Sequence, residues 1–349
     1  MRKFIMSKDL NKARQKLIDL YIKSLSENTI PWEKGWNCKH QVNAISKTNY
    51  HGVNSLLLSY IQSTTFKDNR WCTFNQAREK GWTIQKGATG VPVEFWSIYD
   101  KEKKRTITNE AYNSYIKSNP EKENNFIWLS RCYYVFNADQ VEGIPEQELS
   151  KNVEKINTSY FIENVIRNLK VKYEEKGSEA YYNSSLDRVV IPEAKSFKNE
   201  YEYHATQLHE LCHATGHSTR LNRNISNSFG TEEYAKEELR AEIGSSFLMQ
   251  NLELEFNEIH VNNHKAYIQN WISILDKDPN ELFRAIADAS KIESFILKYG
   301  SKEIERETVL NNASESNVKS LKERITTAII KKDKDITNRT KNIEIQKEK

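Results

Sequence analysis

Apolar residues in the first part of the chain follow helical and strand-like spacings in turn. A helical spacing joins Leu17, Leu20, Tyr21 and Leu25. Alternation at Val91, Val93 and Phe95 predicts a strand, and residues 132–136 predict another. Residues 100–125 between them are polar and charged, which predicts a long loop or an insertion. These patterns together predict a mixed α+β domain over residues 1–145.

The second half of the chain combines a hairpin with several amphipathic helices. Residues 180–183 and 187–192 flank a turn near Ser184 and predict two paired strands. Apolar spacing predicts helices at 160–169, 207–217 and 237–248, and two more between Trp271 and Ile292. We therefore expect a second α+β domain over residues 146–298. Residues 299–349 have little apolar pattern and predict a charged helical or disordered tail.

Composition narrows the class of protein. With 349 residues and 38% apolar content, the chain can build two ordinary cores. No apolar run is long enough to span a membrane, and no secretory segment follows Met1. The four cysteines, Cys38, Cys72, Cys132 and Cys212, form no Cys-x-x-Cys pair, which favours free thiols in a reducing compartment. We expect a cytoplasmic protein with no membrane partner.

The overall charge of +4 is unevenly distributed between the two halves of the chain. Residues 1–136 contain 22 Lys and Arg against 12 Asp and Glu, a net charge of +10, while the remainder has 30 against 36. The basic half also contains six of the seven tryptophans. Basic residues bind phosphates and aromatic rings stack on unpaired bases, so this composition favours a surface for single-stranded DNA. The alternative is that these tryptophans form a core.

The most specific motif is His209-Glu210-x-x-His213. Four residues is just over one helical turn, so the two histidines project from the same face and can share one Zn²⁺ ion. Glu210 lies about 100° further round, where it can act as the base for a zinc-bound water. The residues around the motif are uncharged, as expected for a buried metal helix. The alternative is a helix with two exposed histidines.

A catalytic zinc site needs a third protein ligand. The metzincin class is excluded, because Thr219 stands where a third histidine would be. His217 follows Gly216 at a probable helix end, so it is a candidate for a supporting role rather than a ligand.

Glu238-x-x-Ala241-Glu242 lies about 25 residues after His213, on the next predicted helix. It resembles the Glu-x-x-Ala-Asp/Glu helix of glutamate-zincins. In this resemblance Glu238 is the third zinc ligand, and Glu242 holds a ligand histidine by its other ring nitrogen. Glu237 is the register alternative for Glu238.

The predicted hairpin precedes the metal helix. Zincins place such an edge strand beside the metal, where a peptide can add as a further strand. Tyr181 or Tyr182 could stabilise a developing oxyanion, although packing is the alternative role for both.

Several motifs occur together in an order that is specific. They are Pro31-Trp32-x-x-x-Trp36, Tyr50-x-Gly52-x-Asn54, Arg70-Trp71-x-Thr73-Phe74-x-Gln76, Gly81-Trp82-x-Ile84-x-Lys86-Gly87 and Tyr133-Tyr134-Val135-Phe136-Asn137. This set resembles the N-terminal domain of ArdC-type antirestriction proteins, and the C-terminal half resembles the zincin-like metallopeptidase domain found with it. The resemblance implies single-stranded DNA binding and residence on a plasmid or other mobile element. Candidate DNA contacts are Trp32, Trp36, Tyr50, Asn54, Arg70, Trp71, Gln76, Trp82 and Lys86.

Two functions remain open at this point. In the first, the chain is a zinc metallopeptidase of the glutamate-zincin type that acts on an unknown protein substrate near single-stranded DNA. In the second, it is a non-catalytic, DNA-protecting protein whose zinc site is structural or vestigial. The presence of Glu210 favours the first, because a structural site has no need of a base there.

Overall fold

The computed structural model describes residues 3–5, 8–27, 40–147, 156–225, 230–254 and 265–311. The first half contains the helices α1 (Lys8–Ser26), α2 (Gly52–Thr65), α3 (Phe74–Glu79) and α4 (Asn109–Ser118). Its strands are β1 (Lys3–Ile5), β2 (Val42–Asn43), β3 (Arg70–Thr73), β4 (Thr83–Ile84), β5 (Val91–Asp100), β6 (Arg105–Ile107), β7 (Phe126–Asn137) and β8 (Val141–Glu142).

A six-stranded sheet organises this half, in the order β2-β3-β7-β5-β6, with β1 parallel to β7. The long strands β5 and β7 pair antiparallel from Val91 opposite Val135 to Asp100 opposite Phe126. Both predicted strands are therefore confirmed. Strands β4 and β8 form a separate two-stranded ribbon.

Of the two alternatives predicted for residues 100–125, the long loop is wrong, and the insertion stays a prediction. This segment contains β6, α4 and a short 3-10 helix. The Thr108 side chain caps α4, and the buried ring of Tyr112 packs edge-on against Phe126 and Trp128. A helix that buries so few of its side chains has too few apolar positions to show helical periodicity.

The second half contains α5 (Thr158–Leu169), α6 (Glu200–Ala214), α7 (Glu232–Asn251), α8 (Lys265–Lys277) and α9 (Asn280–Asn311). Its three-stranded sheet consists of β9 (Lys172–Glu175), β10 (Tyr181–Asn183) and β11 (Arg188–Ile191). Strand β11 lies in the middle, antiparallel to β10 and parallel to β9. The predicted hairpin is confirmed as β10 and β11, and the chain as a whole has the expected α+β class.

One hydrophobic cluster contains residues from both halves. Tyr21 of α1 and Trp71 of β3 belong to the same buried cluster as Leu239 of α7 and Trp271 of α8. A second cluster surrounds α6 and includes residues of α5, β11 and α7. Helix α7 therefore packs one face into the shared core while another face is directed towards α6.

Helix α9 crosses the predicted boundary at residue 298. The Asn168 amide donates to the carbonyl of Tyr299 at 2.9 Å, and Gly300 lies directly against the buried ring of Phe161. The start of the predicted tail is thus part of the second core rather than a separate segment. Residues 312–349 lie outside the described part. Among the described helices, none is both long and apolar enough to cross a membrane.

Candidate metal centre

Helix α6 positions the two histidines of the His-Glu-x-x-His motif. The Asn199 side chain accepts a hydrogen bond from the Glu202 backbone and so starts the helix. His209 and His213 then follow one turn apart, and their Nε2 atoms lie 3.1 Å from each other. Both Nε2 atoms therefore point at one place on the surface of α6.

Helix α7 brings a carboxylate to the same place. The two helices approach closely at Gly244, where a Cβ atom would lie 3.4 Å from the Cys212 sulfur. The carboxylate oxygens of Glu238 lie 3.5 Å from His209 Nε2 and 3.4 Å from His213 Nε2. The ligand atoms of the three residues all lie within 4.8 Å of one another.

These separations suit a divalent metal. Bonds of about 2.0–2.2 Å at tetrahedral angles place neighbouring ligand atoms about 3.3–3.6 Å apart, close to the 3.1, 3.4 and 3.5 Å found here. Two imidazole nitrogens and one carboxylate, with a fourth position left open, are also the donor set of catalytic zinc sites. His209, His213 and Glu238 are therefore brought together as the sequence predicts, in a geometry that fits a bound ion.

The second ring nitrogen of each histidine faces a further glutamate of α7. His209 Nδ1 lies 3.4 Å from Glu242 Oε1, in the supporting place predicted for Glu242. His213 Nδ1 lies 3.3 Å from Glu237 Oε1. Glu237, the register alternative for the third ligand, thus contacts the outer side of a histidine ring. Carboxylates in this position fix the ring orientation and make the metal-facing nitrogen more basic.

Two arginines after α6 hold this arrangement, and the sequence analysis missed their role. The Arg223 guanidinium donates to both oxygens of Glu237, at 2.7 and 3.1 Å, and to the Cys212 carbonyl at 2.8 Å. The Arg220 guanidinium binds both oxygens of Asp187, at 2.8 and 2.7 Å, and the Ala214 carbonyl at 2.8 Å. The signal was the Arg-Leu-Asn-Arg motif at 220–223. Its contacts depend on tertiary structure that spacing alone does not show.

The charges of the centre are strongly coupled. Burial raises the pKa of Glu210, which is the direction that a general base near neutral pH requires. Burial alone would lower the pKa of His213, but the carboxylates of Glu238 and Glu237 outweigh it and raise that pKa well above its usual value. Because metal ligands must be deprotonated, protons and a metal ion compete for the histidine nitrogens.

Two predicted supporting residues, His217 and Tyr182, make hydrogen bonds near the metal centre. His217 Nδ1 lies 2.9 Å from the Thr219 hydroxyl, so its ring is engaged in the turn after α6. The Tyr182 hydroxyl donates to Asp187 Oδ1 at 2.7 Å and thereby joins the hairpin to the Arg220 contact. The oxyanion or supporting roles predicted for His217 and Tyr182 stay predictions.

Several predicted DNA contacts are structural instead. Trp71 is fully buried, and its indole N–H donates to Gln41 at 2.6 Å, so the prediction that it stacks on a base is wrong. The buried guanidinium of Arg70 is paired with Asp68 at 2.7 Å. The Asn54 amide bonds both backbone groups of Glu94, at 2.7 and 2.8 Å, on a part of β5 that β6 does not pair. These contacts hold the three side chains in the fold, away from the role predicted for them.

The remaining DNA candidates differ in exposure. Gln76 completes the capping box at the start of α3, and Tyr50 and Trp82 are partly buried against hydrophobic clusters. Lys86 is exposed in the turn after β4. Trp32 and Trp36 lie outside the described residues.

Fold and site together define a zincin-like metal-binding domain joined to a mixed α+β domain. Residues 161–288 match a family described as zincin-like metallopeptidase. Residues 11–136 match the family of the N-terminal domain of the anti-restriction factor ArdC. The chain belongs to the ArdC-type antirestriction proteins.

Two solved structures agree with this assignment. The Mn(II)-bound crystal structure of the antirestriction protein ArdC from plasmid R388 is 27% identical, with a TM-score of 0.65, and the match covers 83% of this chain and 98% of that one. Its metal-free structure matches with a TM-score of 0.63 at 26% identity, over 82% of this chain and 97% of that one.

Two Escherichia coli proteins named DNA primase TraC are 33% and 32% identical over 81% and 84% of this chain. The chain spans only 20% and 28% of their lengths. A protein from Sinorhizobium fredii named y4eC is 30% identical over 78% of this chain and 85% of its own length.

Proposed function

We propose that the chain is a single-stranded DNA-binding antirestriction protein of a plasmid or other mobile element, and that its second domain is an active metallopeptidase. The observation that carries the peptidase proposal is the convergence of His209, His213 and Glu238, with Glu210 on the same helix. The zincin-like fold and the metal reported for the R388 relative support it.

His209, His213 and Glu238 would hold the ion, and Zn²⁺ is the ion that two imidazoles and one carboxylate favour. The R388 relative was solved with Mn(II), so manganese is the competing choice. When bound, such an ion supplies Lewis-acid chemistry that acidifies a water and polarises a peptide carbonyl.

The chain's own residues carry the proton chemistry. Glu210 accepts the proton of the attacking water on its carboxylate and then delivers it to the amine of the departing peptide. Glu242 and Glu237 keep the two imidazole rings in place, each through Nδ1.

Strand β10 is the place for an extended peptide. In the described residues it pairs with β11 alone, so its other edge is free for a further strand. Tyr181 on this strand is 40% exposed and is available to contact a substrate side chain.

The first domain supplies affinity for DNA. Its net charge of +10 over residues 1–136 attracts phosphates without reading sequence. Single-stranded DNA is the form on which exposed aromatic rings can stack.

The substitution Glu210→Gln tests the peptidase proposal, since it removes the base and leaves all three ligands. We expect the variant to keep its metal content and to lose peptidase activity. Activity is measured as cleavage of a proteome-derived peptide library in the presence of added metal and single-stranded DNA, and the products are identified by mass spectrometry. Glu200→Gln on the same helix, where the side chain is 84% exposed, is the matched control and should cleave normally. If antirestriction during plasmid transfer persists in Glu210→Gln, DNA protection does not depend on proteolysis.

A further inference from the structure

Two aromatic rings and an arginine are exposed together on one face of the β5–β7 ladder. Phe95 lies directly opposite Arg131, and Tyr133 follows two residues along β7. Directly opposed residues, and every second residue along a strand, share a face of the sheet. Phe95, Arg131 and Tyr133 therefore form one surface, which we call the ring platform.

The ring platform is accessible. Phe95 is 54% exposed and Tyr133 is 40% exposed. Their ring centroids lie 6.1 Å apart with an interplanar angle of 76°, an edge-to-face contact that fixes both rings. Apolar side chains that are exposed side by side, rather than singly, can mark an interaction site.

The charges around the ring platform are positive. On this face Arg131 is the only charged residue of the β5–β7 ladder, because the acidic residues of β5, Glu94 and Asp100, alternate to the other face. At its far end β5 leads into residues 101–105, a turn with four basic residues and one acidic residue. Lys101 and Lys104 are exposed there, while Arg105 lies opposite Asp100 and so belongs to the other face.

The distance between the ring platform and this basic turn suits a strand of nucleic acid. Five residues separate Phe95 from Asp100, which corresponds to about 17 Å along a β-strand. Single-strand-binding surfaces combine stacking rings with a basic track over several nucleotides. A protein partner of mainly apolar character would gain nothing from the basic turn.

We propose that the ring platform stacks unpaired bases of single-stranded DNA, and that Arg131 together with Lys101 and Lys104 of the basic turn binds the phosphates of the strand as it runs from the rings towards the turn. This inference rests on the single-stranded DNA binding proposed above. It places the binding surface on side chains other than the buried Trp71 and Arg70 and the hydrogen-bonded Asn54.

Fluorescence anisotropy with the full chain and a labelled oligothymidine tests the surface. Phe95→Ala and Tyr133→Ala should each weaken binding roughly 5- to 100-fold, the usual loss for one stacking ring. Tyr134→Ala is the matched control, because this tyrosine neighbours Tyr133, is 53% exposed and lies on the opposite face of the sheet. It should bind like the wild type.

A salt titration tests the basic turn. Replacing Lys101 and Lys104 together with Gln should reduce the slope of log affinity against log salt by about 1.4, since each single-strand phosphate contact contributes about 0.7.

Unchanged affinity in both ring variants, with binding by the wild type intact, would overturn the ring platform and leave single-stranded DNA binding standing. Absence of binding by the wild type would refute the proposed DNA binding itself, and this surface with it. If the ring variants change the oligomeric state in sedimentation but not the affinity, the surface is a contact between copies of the chain, and the inference is wrong.

Discussion

The substitution Arg223→Lys tests whether contacts behind the histidines control metal affinity. The guanidinium binds both oxygens of Glu237, the Thr215 hydroxyl at 2.8 Å and the Cys212 carbonyl at 2.8 Å. Lysine keeps the charge but cannot make the paired contact with the carboxylate. Glu237 then loses its fixed position, and His213 loses the group that orients it.

We expect Arg223→Lys to weaken metal binding about 10- to 100-fold, which corresponds to about 1.4–2.7 kcal/mol. The free energy of unfolding without metal should fall by about 2 kcal/mol, because hydrogen bonds between charged groups are lost. Competition with a chromophoric chelator measures the affinity, and chemical denaturation measures the stability.

Arg220→Lys is the matched control. Arg220 holds the same end of α6 through the Ala214 carbonyl, but its carboxylate partner, Asp187, does not contact a metal-facing histidine. This variant should lose stability and keep its metal affinity. Equal losses of affinity in the two variants, or normal affinity in a folded Arg223→Lys, would refute the role assigned to the Glu237 contact.

Three further predictions concern stability. Burial raises the pKa of Asp187, but the hydrogen bonds from Arg220 outweigh it and leave that pKa lowered, so the pair stabilises the fold above about pH 4 and less as pH falls through the lowered value. Asp187→Asn should therefore cost about 1 kcal/mol at pH 7 in denaturant titrations, and the difference from wild type should shrink in acid. Gly300→Ala should lower the melting temperature markedly, since the new methyl group would overlap a buried ring of α5. Trp71→Phe should cost about 1–3 kcal/mol, because the buried Gln41 oxygen loses its donor, yet DNA affinity in the folded protein should not change.

The metal centre could be located from sequence because its parts are local. A four-residue spacing on a helix places His209 and His213 on one face whatever surrounds them. The register of α7 was harder to predict, because Glu237 and Glu238 are adjacent in the sequence. Only the packing of α7 against α6 decides which of the two faces the Nε2 atoms of the histidines. The structure directs Glu238 towards both Nε2 atoms and Glu237 towards Nδ1 of His213.

The DNA-binding surface was predicted less well, because residue type does not reveal burial. Trp71 and Arg70 carry suitable chemistry, yet one is a core side chain and the other is paired with Asp68. The sequence did not predict Phe95 and Tyr133 as binding residues, because each fits the alternation of an ordinary strand. Only the pairing of β5 with β7 shows that these two rings share an exposed face.

The sequence patterns also could not predict the hydrophobic core that the two halves share. Each amphipathic helix predicts one buried face but not its partner. Leu239 of α7 and Tyr21 of α1 are far apart in the chain and belong to one cluster. The two halves therefore pack against each other through a common core and are not independent units.

The central claim is that one divalent ion is held by two residues of α6 and one of α7. A crystal structure of the zinc-loaded full chain, with anomalous data at the zinc edge, tests it most directly. We predict a single strong peak bound by Nε2 of His209, Nε2 of His213 and the carboxylate of Glu238, with Glu210 beside the open position. A peak elsewhere, or an ion at the two histidines with Glu238 turned away, would contradict the account.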